Sequence, residues 1–329
     1  MSKWDNSFRE VKMLSIIIVS WNSKEELMNC LKSLAQLAEI PLEFEAIVVD
    51  NASDDGTVQS IMGFMSDNRN VSLRVIPNSR NVGLSRATDQ AYREATGEWI
   101  LLSNPDILFD RNVTLLLSYG HLHPDAMITA EMVNENGKPQ RVIHRRFPTV
   151  ARVFFDFGSL GSYLDEKLMN HLVRKSYCYQ DVEFGPVVAL ESPGASFLLL
   201  NRRLVDKLGL IFDPAFPVWW NDVDLARRAE KAGISRILLS DVKVKHGLGR
   251  SGSEKMPSEA KWHVFCRSMM LYARKWKMRP HLLQLLFCVD AILGVLLFTI
   301  VQRRTYGFFS ALRASIPRAA AQMSGVLGA

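Results

Sequence analysis

The sequence predicts an α/β protein whose central sheet is mostly parallel and is flanked by helices. Apolar runs of strand length alternate four times with amphipathic stretches in about the first hundred residues, and the connections are short. A length of 329 residues is enough for one large α/β domain with additional elements, or for two domains. A hydrophobic content of 48% with 22% charged residues is typical of a globular chain rather than a disordered one.

The predicted parallel strands are continuous apolar runs in which β-branched residues are frequent. Such runs suit strands that are buried on both faces, so the repeated strand-helix units predict a doubly wound sheet. Ser23 and Glu26 form a capping-box pattern before the first helix, and Gly97 follows the third helix as a C-terminal cap. The predicted strands are residues 14–19, 44–49, 71–76 and 99–102.

Two polar side chains and a proline follow the fourth predicted strand. Pro105 cannot donate to a ladder, so the strand should end before it. Asp106 then stands at a strand's carboxyl end, where α/β sheets bind ligands, and could hold a divalent cation and, through it, a phosphate. A turn formed by Asn104-Pro105-Asp106 without a ligand is the alternative, and spacing alone leaves both open.

The sequence lacks the patterns of several common classes. No G-x-G-x-x-G follows the first strand and no G-x-x-x-x-G-K-[ST] occurs, which weighs against dinucleotide dehydrogenases and P-loop enzymes. The four cysteines show no zinc spacing, so reduced structural thiols are expected. The net charge of +6 comes without a recognition motif, so no nucleic-acid partner is predicted.

The second half of the chain is predicted to be less regular. A helix at 113–122 and a strand at 125–133 lead into a hairpin-like turn at 134–137. Residues 144–185 have no clean period, and we interpret them as an irregular insertion that could shape an acceptor site. Order returns with predicted strands at 192–200, 237–239 and 242–244 and with helices at 202–208 and before Gly233.

The C-terminal part is predicted to be helical and to associate with a membrane. A helix begins at Ser258, and residues 282–301 form a strongly apolar run that Asp290 interrupts. The run reaches the lower range of a membrane span, but a carboxylate is costly in lipid, so an interfacial or re-entrant helix is predicted. A helix buried in a homodimer interface is the alternative. No acidic residue follows Asp290 whereas four arginines do, which suits an anionic membrane surface.

The N-terminal residues bear on the compartment. Residues 1–12 are polar and mixed in charge, without the apolar core of a signal peptide. The chain is therefore expected in the cytoplasm, associated with the inner face of the cell membrane.

Six stretches in a fixed order together resemble family 2 glycosyltransferases with the GT-A fold, and within that family the rhamnosyltransferase-type branch. The resemblance covers residues 14–252 and implies a GT-A domain at 1–256, with a nucleotide-binding half at about 13–110 and an acceptor half at about 111–256. Residues 257–329 would then be a membrane-associated helical extension. The stretches are Ile18-Val19-Ser20-Trp21-Asn22, Val49-Asp50-Asn51-Ala52-Ser53-Asp54-Asp55-Gly56-Thr57, Asn81-Val82-Gly83-Leu84, Ser103-Asn104-Pro105-Asp106, Asn221-Asp222-Val223-Asp224-Leu225 and His246-Gly247-Leu248-Gly249-Arg250-Ser251.

The resemblance implies a role for each matched residue. Asp222 falls at the general base, and Asp106 and His246 fall at the residues that bind Mg²⁺ or Mn²⁺ together with diphosphate oxygens. Asp224 is expected to cap its helix and pair with an arginine. The alternatives are an Asx turn at Asp50 and a purely structural His246. The implied contacts to the nucleotide-sugar are Ser20, Asn22, Asp50, Asn51, Asn81, Gly83, Asn104 and Arg250.

The implied activity is an inverting, metal-dependent transfer of a sugar from a nucleotide-sugar to a lipid-linked or polysaccharide acceptor in cell-surface glycan synthesis. Rhamnose from dTDP-rhamnose is the donor that the branch implies. The acidic pair of the family is Asn221-Asp222 here instead of Glu-Asp, which keeps the base and removes a neighbouring charge. A non-catalytic, membrane-bound scaffold that binds a nucleotide-sugar is the alternative function.

Overall fold

The structure, a computed structural model, describes residues 13–247, 256–306 and 308–329. The chain forms two compact units. The first contains Met1–His144, Glu183–Pro217 and Asn221–Lys255, and the second contains Arg145–Val182, Val218–Trp220 and Met256–Ala329.

The described residues of the first unit form one nine-stranded mixed sheet. The strands are β1 (Leu14–Ser20), β2 (Phe44–Asp50), β3 (Leu73–Pro77), β4 (Trp99–Ser103), β5 (Ile107–Leu108), β6 (Ala126–Val133), β7 (Val187–Ala189), β8 (Phe197–Asn201) and β9 (Ser235–His246). Their order is β3-β2-β1-β4-β8-β6-β9-β5, and β7 pairs with β9.

Strand direction brings six carboxyl ends to one edge of the sheet. The strands β1, β2, β3 and β4 are mutually parallel. β8 runs antiparallel to both β4 and β6, so β6 and its parallel neighbour β9 point the same way as the first four strands. The predicted mostly parallel sheet flanked by helices is confirmed.

The apolar runs form the sheet because both of its faces are covered. Ile16 and Ile18 of β1 contribute to one buried cluster, and Ile17 between them contributes to the cluster on the other face. This alternation is the period of two expected of a strand, and here both sets of side chains are apolar.

Helices cover these faces and build the second unit. They are α1 (Lys24–Leu37), α2 (Thr57–Asp67), α3 (Leu84–Glu94), α4 (Asn112–Leu122), α5 (Val150–Phe157), α6 (Ser159–Met169), α7 (Leu172–Tyr177), α8 (Arg202–Leu208), α9 (Asn221–Lys231), α10 (Ser258–Lys275), α11 (Pro280–Tyr306) and α12 (Phe308–Leu327).

The predicted capping box at Ser23 and Glu26 is wrong. The Ser23 hydroxyl donates to the Trp21 carbonyl oxygen (3.0 Å) and caps no helical N–H in the described chain. Instead, the Lys24 N–H at the start of α1 donates to Asp55 Oδ2 (3.1 Å). The helix therefore begins where predicted, but a carboxylate from the loop after β2 satisfies its first donor.

The structure corrects two further predictions, one of an irregular segment and one of two separate strands. Residues 144–185, predicted as an irregular insertion, contain the helices α5, α6 and α7, so the prediction of irregular structure is wrong. The strands predicted at 237–239 and 242–244 are one strand, β9. Ala130 pairs with Leu239 whereas Glu131 pairs with Lys243, so residues 240–242 form a bulge that interrupts the apolar pattern.

Asp290, which interrupts the apolar run of α11, is completely buried in the second unit. Its carboxylate accepts hydrogen bonds from Ser159 N (3.0 Å), Leu160 N (2.7 Å) and Gln322 Nε2 (3.1 Å). It thereby satisfies two of the unpaired N–H groups at the start of α6. Within the described residues, no helix has both the length and the apolar character that a membrane span requires.

Candidate functional site

Polar residues converge where the parallel strands of the first unit end. Ser20 and Asp50 are register partners at the ends of β1 and β2, and each is at most 1% exposed. Asp50 Oδ2 accepts a hydrogen bond from Ser53 N (3.0 Å). Among the residues that the structure describes, Ser20 Oγ and Asp50 Oδ1 have no hydrogen-bond partner. Buried polar atoms are costly when unpaired, so these two atoms are suited to a ligand at this edge.

Asn22 joins the loop after β1 to the loop after β2. Its backbone is left-handed, with φ of 49°. Its N–H donates to Ser53 Oγ (2.8 Å), and its side-chain Oδ1 accepts from Asp54 N (2.9 Å). Asn is one of the few residues that adopt this conformation readily, so the residue type is explained by the loop.

Asn51 and Asn81 hold the loop that precedes α3. Asn51 Oδ1 accepts from Val82 N (2.9 Å), and Asn51 Nδ2 donates to Asn81 Oδ1 (2.8 Å). Asn81 Oδ1 also accepts from Gly83 N (2.9 Å). Both polar atoms of the Asn51 amide are thus engaged in shaping the edge of the site.

The segment before α9 is attached to the start of α3. Gly83 has φ of +85°, and a Cβ there would lie 3.0 Å from the Pro217 carbonyl oxygen, which explains the glycine. The Ser85 N–H donates to the same oxygen (3.4 Å). From there α9 runs along the sheet toward the amino end of β9, so its first residues, Asn221 and Asp222, lie at the carboxyl edge.

The acidic residues of α9 differ in their surroundings. Asp222 is only partly buried, and its Oδ1 accepts from Val223 N (2.8 Å). Its own N–H donates to Asn221 Oδ1 (2.8 Å). Asp224 is completely buried and forms an ion pair with Arg228 Nε (3.0 Å), as predicted. Asp222 is therefore the more accessible of these two carboxylates.

Asn104, Asp106 and His246 come together at the same edge. His246 Nε2 lies 3.4 Å from Asp106 Oδ1 and 3.4 Å from Asn104 Nδ2. Both carboxylate oxygens of Asp106 are buried and, within the described part of the chain, accept no hydrogen bond. The described residues contain no cluster of three or more His, Cys, Asp or Glu that could hold a metal ion. One carboxylate and one imidazole nevertheless fit a divalent cation whose remaining ligands are phosphate oxygens and water.

Two residues beside this cluster were not predicted from the sequence. Gln140 makes two hydrogen bonds to His246: its Oε1 lies 2.8 Å from Nδ1, and its Nε2 donates to the His246 carbonyl oxygen (2.9 Å). His144 is 1% exposed, and its Nδ1 accepts from Gly194 N (3.3 Å). Burial, together with the nearby His246, lowers the pKa of His144 to about 4, so its imidazole is neutral at pH 7.

Arg250, the remaining predicted contact to the nucleotide-sugar, is outside the described residues. Trp220 belongs to the second unit, is 4% exposed, and has ring centroids of Tyr272 and Phe265 at 5.2 Å and 5.8 Å. Trp220 therefore packs in the core of the second unit.

Comparison with known proteins agrees with this geometry. Residues 15–173 match the family model described as Glycosyl transferase family 2. The uncharacterized glycosyltransferase YfnE of Bacillus subtilis is 39% identical over 94 residues, which are 29% of this chain and only 23% of that protein. The N-acetylglucosaminyl-diphospho-decaprenol L-rhamnosyltransferase of Mycobacterium tuberculosis is 23% identical over 248 residues, 71% of this chain and 76% of that protein.

A solved structure establishes the fold class. The mannosyltransferase PcManGT of Pyrobaculum calidifontis, in complex with GDP-Man and Mn²⁺, superposes with a TM-score of 0.55 at 14% identity, over 98% of this chain and 90% of that chain. The chain therefore has the GT-A fold that the sequence motifs imply.

Proposed function

We propose that this chain, whose residues 15–173 are a glycosyltransferase family 2 domain, is an inverting, metal-dependent enzyme of cell-surface glycan synthesis. It would transfer a sugar from a nucleotide-sugar to a lipid-linked or polysaccharide acceptor. We propose rhamnose from dTDP-rhamnose as the donor sugar. The sequence motifs and the Mycobacterium tuberculosis relative, which is named as an L-rhamnosyltransferase with a decaprenol-linked substrate, support this choice.

One observation carries the proposal: unpaired polar atoms lie at the carboxyl edge of the sheet. Taken over the described residues, they include the Ser20 hydroxyl, Asp50 Oδ1 and both oxygens of Asp106. A nucleoside diphosphate complements them, because its base or ribose can donate to Asp50 and its diphosphate can share a cation with Asp106 and His246. A bound cation would neutralise the charge that develops on the diphosphate as it leaves.

The chain's own residues then divide the work of the transfer. The acceptor hydroxyl attacks the anomeric carbon from the face opposite the diphosphate, and the bond to the diphosphate breaks. Asp222 takes the hydroxyl proton as the new bond forms, which gives an inverted product. The family's carboxylate base is present even though Asn221 replaces its acidic neighbour. The relatives are named as transferases, so the non-catalytic scaffold is not favoured.

Thermal unfolding with a panel of nucleotide-sugars, each with and without Mn²⁺, tests this function. A donor present at about 100 times its Kd should stabilise the protein by about 2.7 kcal/mol, which is a rise of a few degrees. We expect the largest rise with dTDP-rhamnose, and only when Mn²⁺ is present. A larger rise with another sugar would correct the donor, whereas no rise with any nucleotide-sugar would overturn the proposed activity.

We further propose that the second unit binds an anionic membrane surface through α11, where a lipid-linked acceptor would be found. Exposed apolar side chains recur every three or four residues along α11, which is the spacing of one helix face. Because Asp290 is completely buried, it leaves no negative charge on this face. The exposed residues are Leu282, Leu285, Val289, Ile292, Leu293, Leu296 and Ile300.

Vesicle sedimentation tests the membrane proposal. Leu285→Glu combined with Ile292→Glu should lower the fraction bound to phosphatidylglycerol vesicles at least about tenfold, because two leucine-sized side chains contribute roughly 3 kcal/mol or more when buried. Leu122→Glu, at an exposed apolar position on α4, is the matched control and should bind like wild type. Equal binding by the double variant would contradict the proposal. A wild-type dimer that the double variant dissociates would assign the face to a second copy.

A further inference from the structure

Gln140 holds His246 by both ends of its carboxamide. Oε1 lies 2.8 Å from the ring Nδ1, and Nε2 donates to the main-chain carbonyl oxygen of the same residue (2.9 Å). The Gln140 side chain is buried. The main-chain N–H of Gln140 donates to the Met132 carbonyl oxygen (2.8 Å) near the end of β6. The amide therefore has little freedom to turn away from the ring.

This arrangement determines which ring nitrogen carries the proton. A carbonyl oxygen can only accept, so the atom of Gln140 that faces it must be the amide nitrogen. The other amide atom, Oε1, then faces Nδ1 and can only accept a hydrogen from it. The hydrogen-bond network thus assigns the proton of the neutral imidazole to Nδ1 and leaves Nε2 as an acceptor, with the donor Asn104 Nδ2 at 3.4 Å.

Nε2 can bind a cation that displaces its long contact with Asn104 Nδ2 (3.4 Å). Nε2 lies 3.4 Å from Asp106 Oδ1, and in this tautomer Nε2 has no hydrogen to donate to the carboxylate. Two electron-rich atoms at this separation can both ligate one cation, since ligand distances of about 2.0–2.2 Å place neighbouring ligands roughly 3 Å apart.

We propose that Gln140 is a positioning residue that locks His246 in the tautomer whose Nε2 binds the divalent cation. The inference rests on the metal role proposed above for Asp106 and His246. Without the Oε1 acceptor, the ring can place its proton on Nε2 and donate it to Asp106 Oδ1. That hydrogen bond would occupy both cation ligands at once. A partner on the second ring nitrogen is the usual way in which proteins orient a metal-binding histidine.

Two substitutions separate this role from a structural one. Gln140→Met keeps the length of the side chain but removes both hydrogen bonds. Gln140→Glu keeps an acceptor for Nδ1–H but loses the donor to the His246 carbonyl oxygen and places a charge beside it. If Gln140 sets the tautomer, Glu should preserve cation binding and Met should not. If Gln140 only tethers the end of β9, Glu should be at least as harmful as Met.

Cation affinity is the first measurement. Titration of the full chain with Mn²⁺ at pH 8, in the presence of saturating dTDP, should give a Kd about 10–100-fold higher for Gln140→Met than for wild type. Gln140→Glu should stay within about threefold of wild type. Gln36→Met, on the exposed face of α1, is the matched control and should not differ from wild type. Equal affinities for wild type and Gln140→Met would overturn the inference while leaving the proposed activity standing.

The tautomer itself is the second measurement, and it needs no metal. The ¹⁵N chemical shifts of the His246 ring in the metal-free protein at pH 8 should show a protonated Nδ1 and an unprotonated Nε2, with assignment by loss of the signals in His246→Asn. Gln140→Met should shift both signals toward a mixture of tautomers. A protonated Nε2 in the wild-type protein would overturn the inference, whatever the outcome of the donor panel.

Discussion

Replacing Asp222 with asparagine is expected to lower the kcat of sugar transfer by about a thousandfold while leaving donor binding unchanged, since general-base catalysis contributes about 10²–10⁴-fold. The asparagine keeps the shape of the side chain, and its carbonyl oxygen can still accept the hydrogen bond from Val223 N (2.8 Å). What it removes is the group proposed to take the proton of the acceptor hydroxyl. Steady-state kinetics with the donor identified by the thermal panel measures kcat, and the donor-induced rise in Tm measures binding.

A second carboxylate on the same helix provides the control. Glu230 is exposed at the other end of α9 and pairs with Arg227 (2.8 Å), so Glu230→Gln changes the same charge far from the carboxyl edge. Its kcat should match that of wild type within about twofold, because surface pairs of this kind contribute little. An Asp222→Asn variant that keeps more than a tenth of the wild-type kcat would show that another group acts as the base.

The polar residues at the carboxyl edge of the sheet could be predicted because each one follows an apolar run directly in the sequence. Ser20, Asp50 and Asp106 each follow a continuous apolar run, and parallel strands that alternate with helices must end on the same side. The order of the runs along the chain was therefore enough to expect these side chains at one edge. Their unpaired buried atoms are a property of the folded chain, and no sequence pattern reports them.

The sequence could not predict which asparagine side chains bind a ligand and which hold a loop. An asparagine at the end of a strand can bind a ligand or shape a loop, and the residue type suits both. In the structure, Asn51 uses both of its amide atoms on the loop that contains Asn81. Its implied contact to the nucleotide-sugar stays a prediction, and the same residue now has a second explanation.

Long-range hydrogen bonds account for the rest. Gln140 lies 106 residues from its partner His246 in the sequence. Asp290 lies 131 residues from Ser159, whose N–H donates to its carboxylate. Neither residue belongs to a motif or to a periodic pattern, because its partner is set by the tertiary fold. Asp290 shows the consequence: a carboxylate that is costly in lipid is stabilised here by the start of a helix.

Asp106→Asn is expected to remove metal-dependent activity and, at the same time, to make the metal-free protein more stable. In the wild-type chain both Asp106 oxygens are buried without a donor in the described residues, and Oδ1 lies 3.4 Å from the His246 nitrogen that has no proton in the proposed tautomer. Asparagine has the same shape and carries no charge, so it removes the unsatisfied buried carboxylate. Relief of an unsatisfied buried group is worth about 1–3 kcal/mol, so Tm without metal at pH 8 should rise by several degrees.

The two effects together separate a cation ligand from a structural residue. A buried carboxylate that ligates a cation is unfavourable when the cation is absent, so its replacement should stabilise the metal-free fold. The same replacement should abolish the Mn²⁺-dependent rise in Tm and lower kcat/KM at least about a hundredfold. Asp125→Asn, at an exposed position just before β6, should leave all three quantities unchanged. A lower Tm for metal-free Asp106→Asn would mean that the carboxylate supports the fold. A preserved Mn²⁺ response would place the cation on other residues, and the site proposed at the end of β4 would then be wrong.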